Sequence, residues 1–318
     1  MKKTARAKEE VQLEYLAVSP QERRLAPDAP RRAVSGIYLD RKPSREQPQV
    51  IERRGGKRIA FGWYGGKFSH LTWLLPLLPS CHHYCEPFAG SGAVLLNREP
   101  SQVETYNDID GDVVNFFRVL RDQSDRIIRQ LALTPFSREE FYDALRVRSV
   151  DSPLERARKF YIRARQARSG LAQTATLGRW ANCKNTTRAG MSGVVSRWLG
   201  GVAALQDVAE RLLPVQIENR PALECVELYD ASETLFYCDP PYLHETRGDA
   251  KAYGFEMHEK DHRQLARALK KCRGKVALSG YRHPLMDELF AGWRRFDADA
   301  KICHSIKKLR QECLWMNY

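Results

Sequence analysis

From about residue 58 onward, short apolar runs that end in loops alternate with stretches of helical spacing. HYCEPFAG (83–90) and VETYNDID (103–110) each read as a strand running into a loop. GAVLLNRE (92–99) between them and VVNFFRVLRD (113–122) after them carry the apolar spacing of helices. That succession, β–loop–α–β–α, is the rhythm of a doubly wound sheet. The rhythm then pauses. SREEFYDALRVRS (137–149) opens with Ser137 and carries Glu140 three residues on, which predicts a capping box. PLERARKFYIRARQARSG (153–170) predicts a helix ending at Gly170. A polar stretch rich in Gly, Thr and Asn runs to about 196, and VAALQDVAERLL (202–213) is helical again. Strand texture returns with TLFYCDPPY (234–242). The helix DHRQLARALKKC (261–272), the strand KVALSG (275–280), the helix PLMDELFAG (284–292) and strand candidates near 294–306 and 312–318 complete the chain.

The predicted fold is therefore α/β: a Rossmann-like sheet with helices on both faces, interrupted by an α-helical insertion. Four segments are expected. Residues 1–57, with runs such as RRLAPDAPRR (23–32), read as a basic, flexible arm. Residues 58–125 form the first half of the sheet domain, 126–217 the helical insertion and 218–318 the second half.

Composition adds a partner. A net charge of +13 over 318 residues points to a polyanion, either nucleic acid or an acidic membrane surface. The excess is local: from Leu154 to Arg197 ten Arg or Lys residues face one acid, Glu155. Within that run, GRWANCKNTTRAG (178–190) suits phosphate anchoring with base-edge contacts from Arg179, Asn182, Asn185 or Arg188. The most apolar stretch, LTWLLPLLPS (71–80), is too short for a membrane span and is broken by Pro76 and Pro79. A cytoplasmic protein without membrane contact is expected. CHHYC (81–85) crowds potential metal ligands together, but neighbours on a strand point to opposite faces and no second pair sits at zinc spacing. No metal is expected.

Two corners carry chemistry. In EPFAGSGAV (86–94), Gly90 and Gly92 lie between a strand and a helix start, where glycine permits a tight turn and lets the backbone approach a ligand. Asp108 follows Glu86 by 22 residues, near the ~20-residue offset at which an acid takes ribose hydroxyls. A nucleoside-bearing cofactor is implied, and the missing third glycine counts against a dinucleotide. In the second corner, Asp239 ends a strand, and Pro240 and Pro241 lock two φ angles and remove two amide donors. The Asp239 carboxylate and the carbonyls left behind suit an –NH₂ group, and Tyr242 offers a ring on which a planar base could stack. A plain strand-ending turn with an Asp cap is the other reading of the same residues. Cys238 precedes Asp239 in the strand, so its side chain points the other way and reads as a core thiol rather than a nucleophile.

With these residues in hand, the chain resembles the alpha-group, Dam-like DNA adenine methyltransferases over roughly 58–318. WYGGK (63–67), EPFAGSG (86–92), NDID (107–110), DPPY (239–242), LSGY (278–281) and the terminal ECLWMNY (312–318) match that family's segments in order. The resemblance implies a Rossmann-like methyltransferase fold and S-adenosylmethionine as cofactor, held by Trp63, Lys67, Glu86, Phe88, Gly90, Gly92, Asp108 and Asp239. It implies catalysis by Asp239, Pro240 and Tyr242 on the N6 amino group of an adenine flipped out of double-stranded DNA, with the insertion as reader. The family's familiar GATC-reading segment is not found. An amino-methyltransferase of cytosine or RNA, and a DNA-binding relative without catalysis, stay open as alternatives, as does the oligomeric state.

Overall fold

The computed structural model describes residues 56–168, 172–246, 254–299, 301–302 and 309–318. The arm expected at 1–57 lies outside the described residues up to residue 55, as do Gly170 and residues 303–308. A 3-10 turn at Lys67–His70 leads into LTWLLPLLPS, which Pro76 limits to one helical turn α1 (Leu71–Leu74) and a second 3-10 turn at Leu75–Leu77. Next come β1 (His83–Glu86), α2 (Ala93–Asn97), β2 (Val103–Asn107) and α3 (Gly111–Asp122), as the apolar spacing predicts. Asp110 caps α3, accepting from the Asp112 amide at 2.9 Å. After α4 (Ser124–Leu133), Ser137 caps α5 (Arg138–Ala144) by accepting from the amides of Glu139 and Glu140. The Glu140 carboxylate meets Arg158 at 2.8 Å, so the cap forms and the acid serves a different partner.

The insertion departs from its predicted boundaries. Helix α6 (Pro153–Gln166) stops at Gln166 rather than Gly170, because Ala167 turns extended and bridges to Trp180, while the Ala181 amide donates to the Gln166 carbonyl at 2.8 Å. A hairpin, β3 (Thr187–Arg188) and β4 (Met191–Ser192), stands in the polar stretch. Its central residues Ala189 and Gly190 have φ of +50° and +73°, the left-handed backbone a two-residue hairpin turn requires. The helix predicted over 202–213 is two helices: α7 (Gly193–Ala203) starts earlier, and α8 (Leu205–Leu212) begins beyond Ala204. Then β5 (Val215–Glu218) pairs in parallel with β2. Four residues are too few for periodicity to reveal it, and the predicted end of the insertion at 217 falls inside this strand.

The second half contains α9 (Ala222–Tyr229), β6 (Thr234–Cys238), α10 (Glu259–Leu269), β7 (Lys275–Tyr281), α11 (Pro284–Leu289) and β8 (Arg294–Asp297). A short antiparallel pair, β9 (Lys301–Ile302) with β10 (Leu309–Arg310), precedes β11 (Glu312–Met316). The main sheet runs β5-β2-β1-β6-β7-β11-β8. Its first five strands are parallel, and β11 is antiparallel to both β7 and β8. From β1 the chain builds outward through β2 to β5, then returns to lay β6 on the other side of β1. The carboxyl ends of β1 and β6 thus flank a topological switch point, where open α/β sheets form their ligand crevice.

Period-two alternation sends the two faces of the sheet into separate cores. Tyr84, Tyr106, Leu235, Tyr237 and Leu314 join one cluster; Cys85, Phe236, Cys238, Cys313 and Trp315 join the other. The insertion shares the first cluster. Tyr161 of α6 stacks on Phe116 of α3 with centroids 5.4 Å apart, and Trp198 of α7 lies 5.6 Å from Tyr161. No helix among the described residues is long and apolar enough to cross a membrane.

A buried ion pair fastens α8 to the sheet. Arg211 donates to both Glu104 oxygens at 2.5 and 2.7 Å and to the Leu95 carbonyl at 2.8 Å, and both side chains are buried. Removing one member of such a pair strands the other charge, at a cost of about 3–5 kcal/mol. Arg98 stays 3.6 Å from Glu104 and would offset part of this. Arg211→Ala is therefore expected to lower unfolding free energy by about 3 kcal/mol in urea titrations; a loss below about 1 kcal/mol would mean the pair contributes little.

Candidate active site

A cavity of about 320 Å³ opens at the switch point, within the size range of small-molecule sites. Trp63, Lys67, Glu86, Phe88, Gly90, Asp108 and Asp239, all expected from the sequence to hold a cofactor, line it together. They come from three distant places: the segment before α1, the loop after β1 with the acid after β2, and the corner after β6.

The loop is tight because its own backbone closes it. The Ala89 amide donates to the Asn107 carbonyl at 2.9 Å, the Gly92 amide to Ala89 at 2.8 Å, and the Tyr106 hydroxyl to the Gly90 carbonyl at 2.6 Å. Gly90 has φ +51°, and a Cβ there would sit 2.7 Å from the indole nitrogen of Trp63. Only glycine fits. Gly92, at φ +63°, serves differently: it precedes α2 as its cap residue and is not part of the cavity wall. The Gly90 amide does not point at open space but donates to Asp108 at 2.8 Å, and the other Asp108 oxygen accepts from the Asp110 amide at 2.8 Å. Burial nevertheless pushes the Asp108 carboxyl up to about 6.

Glu86 ends β1 inside the cavity, 2% exposed. Burial pushes its carboxyl up to about 8, with the Asp239 charge adding to the rise, against the Tyr84 hydroxyl that donates to it at 2.7 Å. Near neutral pH it is a protonated acid that a cation would ionise.

At the corner after β6, Lys67 reaches both Asp239 oxygens at 2.7 and 2.8 Å and donates to the Gly65 carbonyl at 2.8 Å. Burial raises the Asp239 pKa, Glu312 adds to that, and Lys67 works against it. Pro241 lines the cavity, whereas Pro240 is buried behind it. The open stacking face expected of Tyr242 is not what the fold presents. Its ring is 6% exposed, lies T-shaped against Tyr281 at 4.8 Å, and has Lys67 over it at 4.9 Å. A buried phenol needs a hydrogen-bond partner, and Tyr242 donates to Glu312.

Glu312 was not singled out by sequence reasoning, although an acid opening the apolar strand ECLWM was a visible signal. Gln173 was also missed. This insertion residue lines the cavity, donates to Asp110 at 2.6 Å and accepts from the Gly254 amide at 3.0 Å. Nothing in a polar loop marks such a contact in advance.

The four insertion candidates lie elsewhere, on the surface from 179 to 188. Asn182, Asn185 and Arg188 are exposed and Arg179 is half-buried, and none of them lines the cavity. Asn182 accepts from Arg168 at 2.6 Å. The CHHYC side chains diverge: Cys81 meets Ser101, His83 meets Thr105 at 2.9 Å, and Cys85 faces Cys225. Among the described residues no cluster of His, Cys, Asp and Glu is arranged to hold a metal. Cys238 is fully buried in the core beneath β6, and burial drives its thiol pKa well above the ordinary range.

A model of the D12 class N6 adenine-specific DNA methyltransferase family matches residues 63–308. The DNA N-6-adenine-methyltransferase of Escherichia phage P1 is 26% identical over 249 residues, covering 74% of this chain. The match spans only 31% of the phage protein's length. The type II methyltransferase M1.LlaDCHI of Lactococcus lactis subsp. cremoris is 26% identical over 248 residues, 72% of this chain and 82% of that protein. The DNA adenine methylase of Salmonella typhi is 26% identical over 193 residues, 58% of this chain and 65% of its own. Among solved structures, an rRNA methyltransferase from Streptomyces viridochromogenes covers 78% of this chain and 81% of its own at 15% identity. Its TM-score of 0.31 is too low to carry weight.

The protonated state of Glu86 has a measurable sign. Its folded pKa, about 8, stands above the ordinary 4.5, so the stability it contributes is complete below pH 4.5 and is lost as pH rises through 8. Glu86→Gln cannot ionise and escapes that loss. In urea titrations without ligand, the unfolding free energy of the variant relative to wild type is expected to climb from pH 6 to about 8, by up to about 1.4 kcal/mol per pH unit, and to level off above that. A difference that stays flat over this range would show that Glu86 is already ionised at pH 6.

Proposed function

The chain belongs to the D12 class N6 adenine-specific DNA methyltransferases, and from that premise we propose that it methylates the N6 amino group of adenine in double-stranded DNA using S-adenosylmethionine. The observation that carries this is the Asp239 carboxylate at the switch point, sharing one cavity with Glu86, Gly90 and Asp108. The cavity suits that cofactor. Four acids line it, Glu86, Asp108, Asp239 and Glu256, matching a ligand that carries a sulfonium and an ammonium, and at Gly90 a Cβ would collide with Trp63. When bound, S-adenosylmethionine supplies a methyl group on a positively charged sulfur.

The chain's own residues do the rest. Glu86 would pair with the ammonium and give up its proton on doing so. Asp108 keeps acceptor lone pairs for ribose hydroxyls beyond the two that its backbone donors use. Phe88 and Trp63 supply apolar wall. Lys67 favours ionised Asp239 against burial, so the carboxylate can accept amino hydrogens from the base together with the Pro240 carbonyl. That draws the exocyclic lone pair out of the ring and towards attack, by position and fixed acceptors. The target base must first leave the duplex, at about a few kcal/mol in lost stacking and pairing. The burial of Tyr242 favours a role in fixing the corner over one as the first stacking surface. No step needs a metal, and a cytoplasmic setting, where DNA and cofactor are both at hand, goes with this reading.

DNA reading falls to the insertion, but with fewer charges than its composition suggests. Arg156 and Arg163 pair with Asp112, Arg158 with Glu140 and Glu155, and Lys159 with Asp151. Four of the ten basic residues are thus paired within the protein, two tying the insertion to α3 and two bracing it internally. The exposed hairpin region with Lys184, Asn185 and Arg188 is the better candidate for DNA contact, with Arg179 and Asn182 beside it.

Two outcomes test this. Asp239→Ala is expected to lower labelled-methyl transfer by about 10²-fold or more while DNA binding persists. Wild-type label recovered in cytosine or RNA, rather than as N6-methyladenine, would overturn the substrate assignment. Lys184→Ala with Arg188→Ala should weaken duplex binding and reduce the slope of log K against log salt by up to about 1.8, or 0.9 per phosphate contact. An unchanged slope would remove the hairpin from the interface.

A further inference from the structure

A carboxylate held out of water needs a donor or a cation beside it. Glu312 is such a group, 5% exposed at the start of β11. It accepts from the Tyr242 hydroxyl, and the same oxygen lies 3.5 Å from the Lys67 ammonium. Its position follows from the sheet. Glu312 pairs across the ladder with Tyr281 of β7, and Tyr281 is the ring that packs against Tyr242. Tyr242 is therefore gripped by two neighbouring strands, at its hydroxyl by Glu312 and at its face by Tyr281. Lys67 serves two acids at once, Asp239 at 2.7 Å and Glu312 at 3.5 Å.

We propose that Glu312 is a positioning residue for methyl transfer: it clamps Tyr242 and takes part of the Lys67 charge, so that Asp239 keeps an acceptor oxygen for the substrate amino group. This rests on the methyltransferase reading above. With Glu312 absent, the phenol would lose its partner and the corner Asp239–Tyr242 its anchor on β11. With Glu312 uncharged, Lys67 would belong to Asp239 alone and blunt it as an acceptor. Asp239 is faced by Lys67 from the amino-terminal segment, by Tyr237 from β6, by Tyr242 from its own corner, by Glu312 from β11 and by Glu86 from β1. Among these, Glu312 is a negative charge that raises the pH at which Asp239 ionises.

The test uses the full chain, duplex DNA and S-adenosylmethionine, comparing wild type with the isosteric Glu312→Gln, with Tyr242→Phe and with the double variant. Glu312→Gln is expected to lower kcat about tenfold with KM for the cofactor within about twofold, and to move the acid limb of the kcat–pH profile to lower pH. The double variant should be little worse than the poorer single one, since both act on one contact. A wild-type kcat and an unmoved acid limb in Glu312→Gln would overturn the proposal. So would a loss of activity that only tracks a lower melting temperature and lost cofactor binding, because Glu312 would then be a purely structural acid. If wild type transfers no methyl group to adenine, the reading it rests on fails first and the proposal with it.

Discussion

One ammonium held between buried carboxylates organises this molecule. Lys67 and Asp239 stand 172 residues apart, and each would be costly to bury alone. They can meet only when the segment before α1 lies over the crevice and β6 has been laid beside β1. The contact is thus a readout of the completed sheet, and it concentrates charge where the strand order reverses. In the same place, burial keeps the Glu86 carboxyl protonated near neutrality, while Glu312 shares Lys67 and accepts from a phenol.

The insertion obeys a second constraint, that a helix must bury its apolar stripe against something. Helix α6 does so against α3 through Phe160 and Tyr161, and α7 against α6 and α4 through Trp198, in the same core that underlies one face of the sheet. Arg156 and Arg163 then reach Asp112 in the first turn of α3, where a negative charge also suits the helix N-terminus. The part of the chain proposed to read DNA is tied by packing and by ion pairs to the helix that follows Asp108. Gln173 extends the same tie into the cavity wall, bonding to Asp110 and to the Gly254 backbone.

Tyr242 illustrates how a side chain's neighbours decide its work. A tyrosine beside a carboxylate and two prolines offers a ring for stacking. In the fold, its hydroxyl finds an acid on β11, Tyr281 packs T-shaped against its ring and Lys67 lies over that ring, so the ring is buried. The corner is stiff because of these contacts as much as because of the prolines.

What the amino-acid sequence determined by itself is what depends on near neighbours. Strand and helix texture, the glycine turn after β1, the proline-locked corner after β6 and the order of these parts follow from periodicity and backbone sterics within a few residues. The doubly wound class and the corners holding Gly90, Asp108 and Asp239 were legible for that reason, whereas Trp63 and Lys67 were expected only from a family resemblance; all of them line one cavity. Tertiary structure alone decided the rest: that Asp239 would face Lys67 with Glu312 behind it, that four basic residues would turn inward, that Gly92 would cap a helix and that β5 would complete the sheet edge. Those outcomes depend on charges and surfaces brought together from distant parts of the chain, and no local pattern records which partner each will meet.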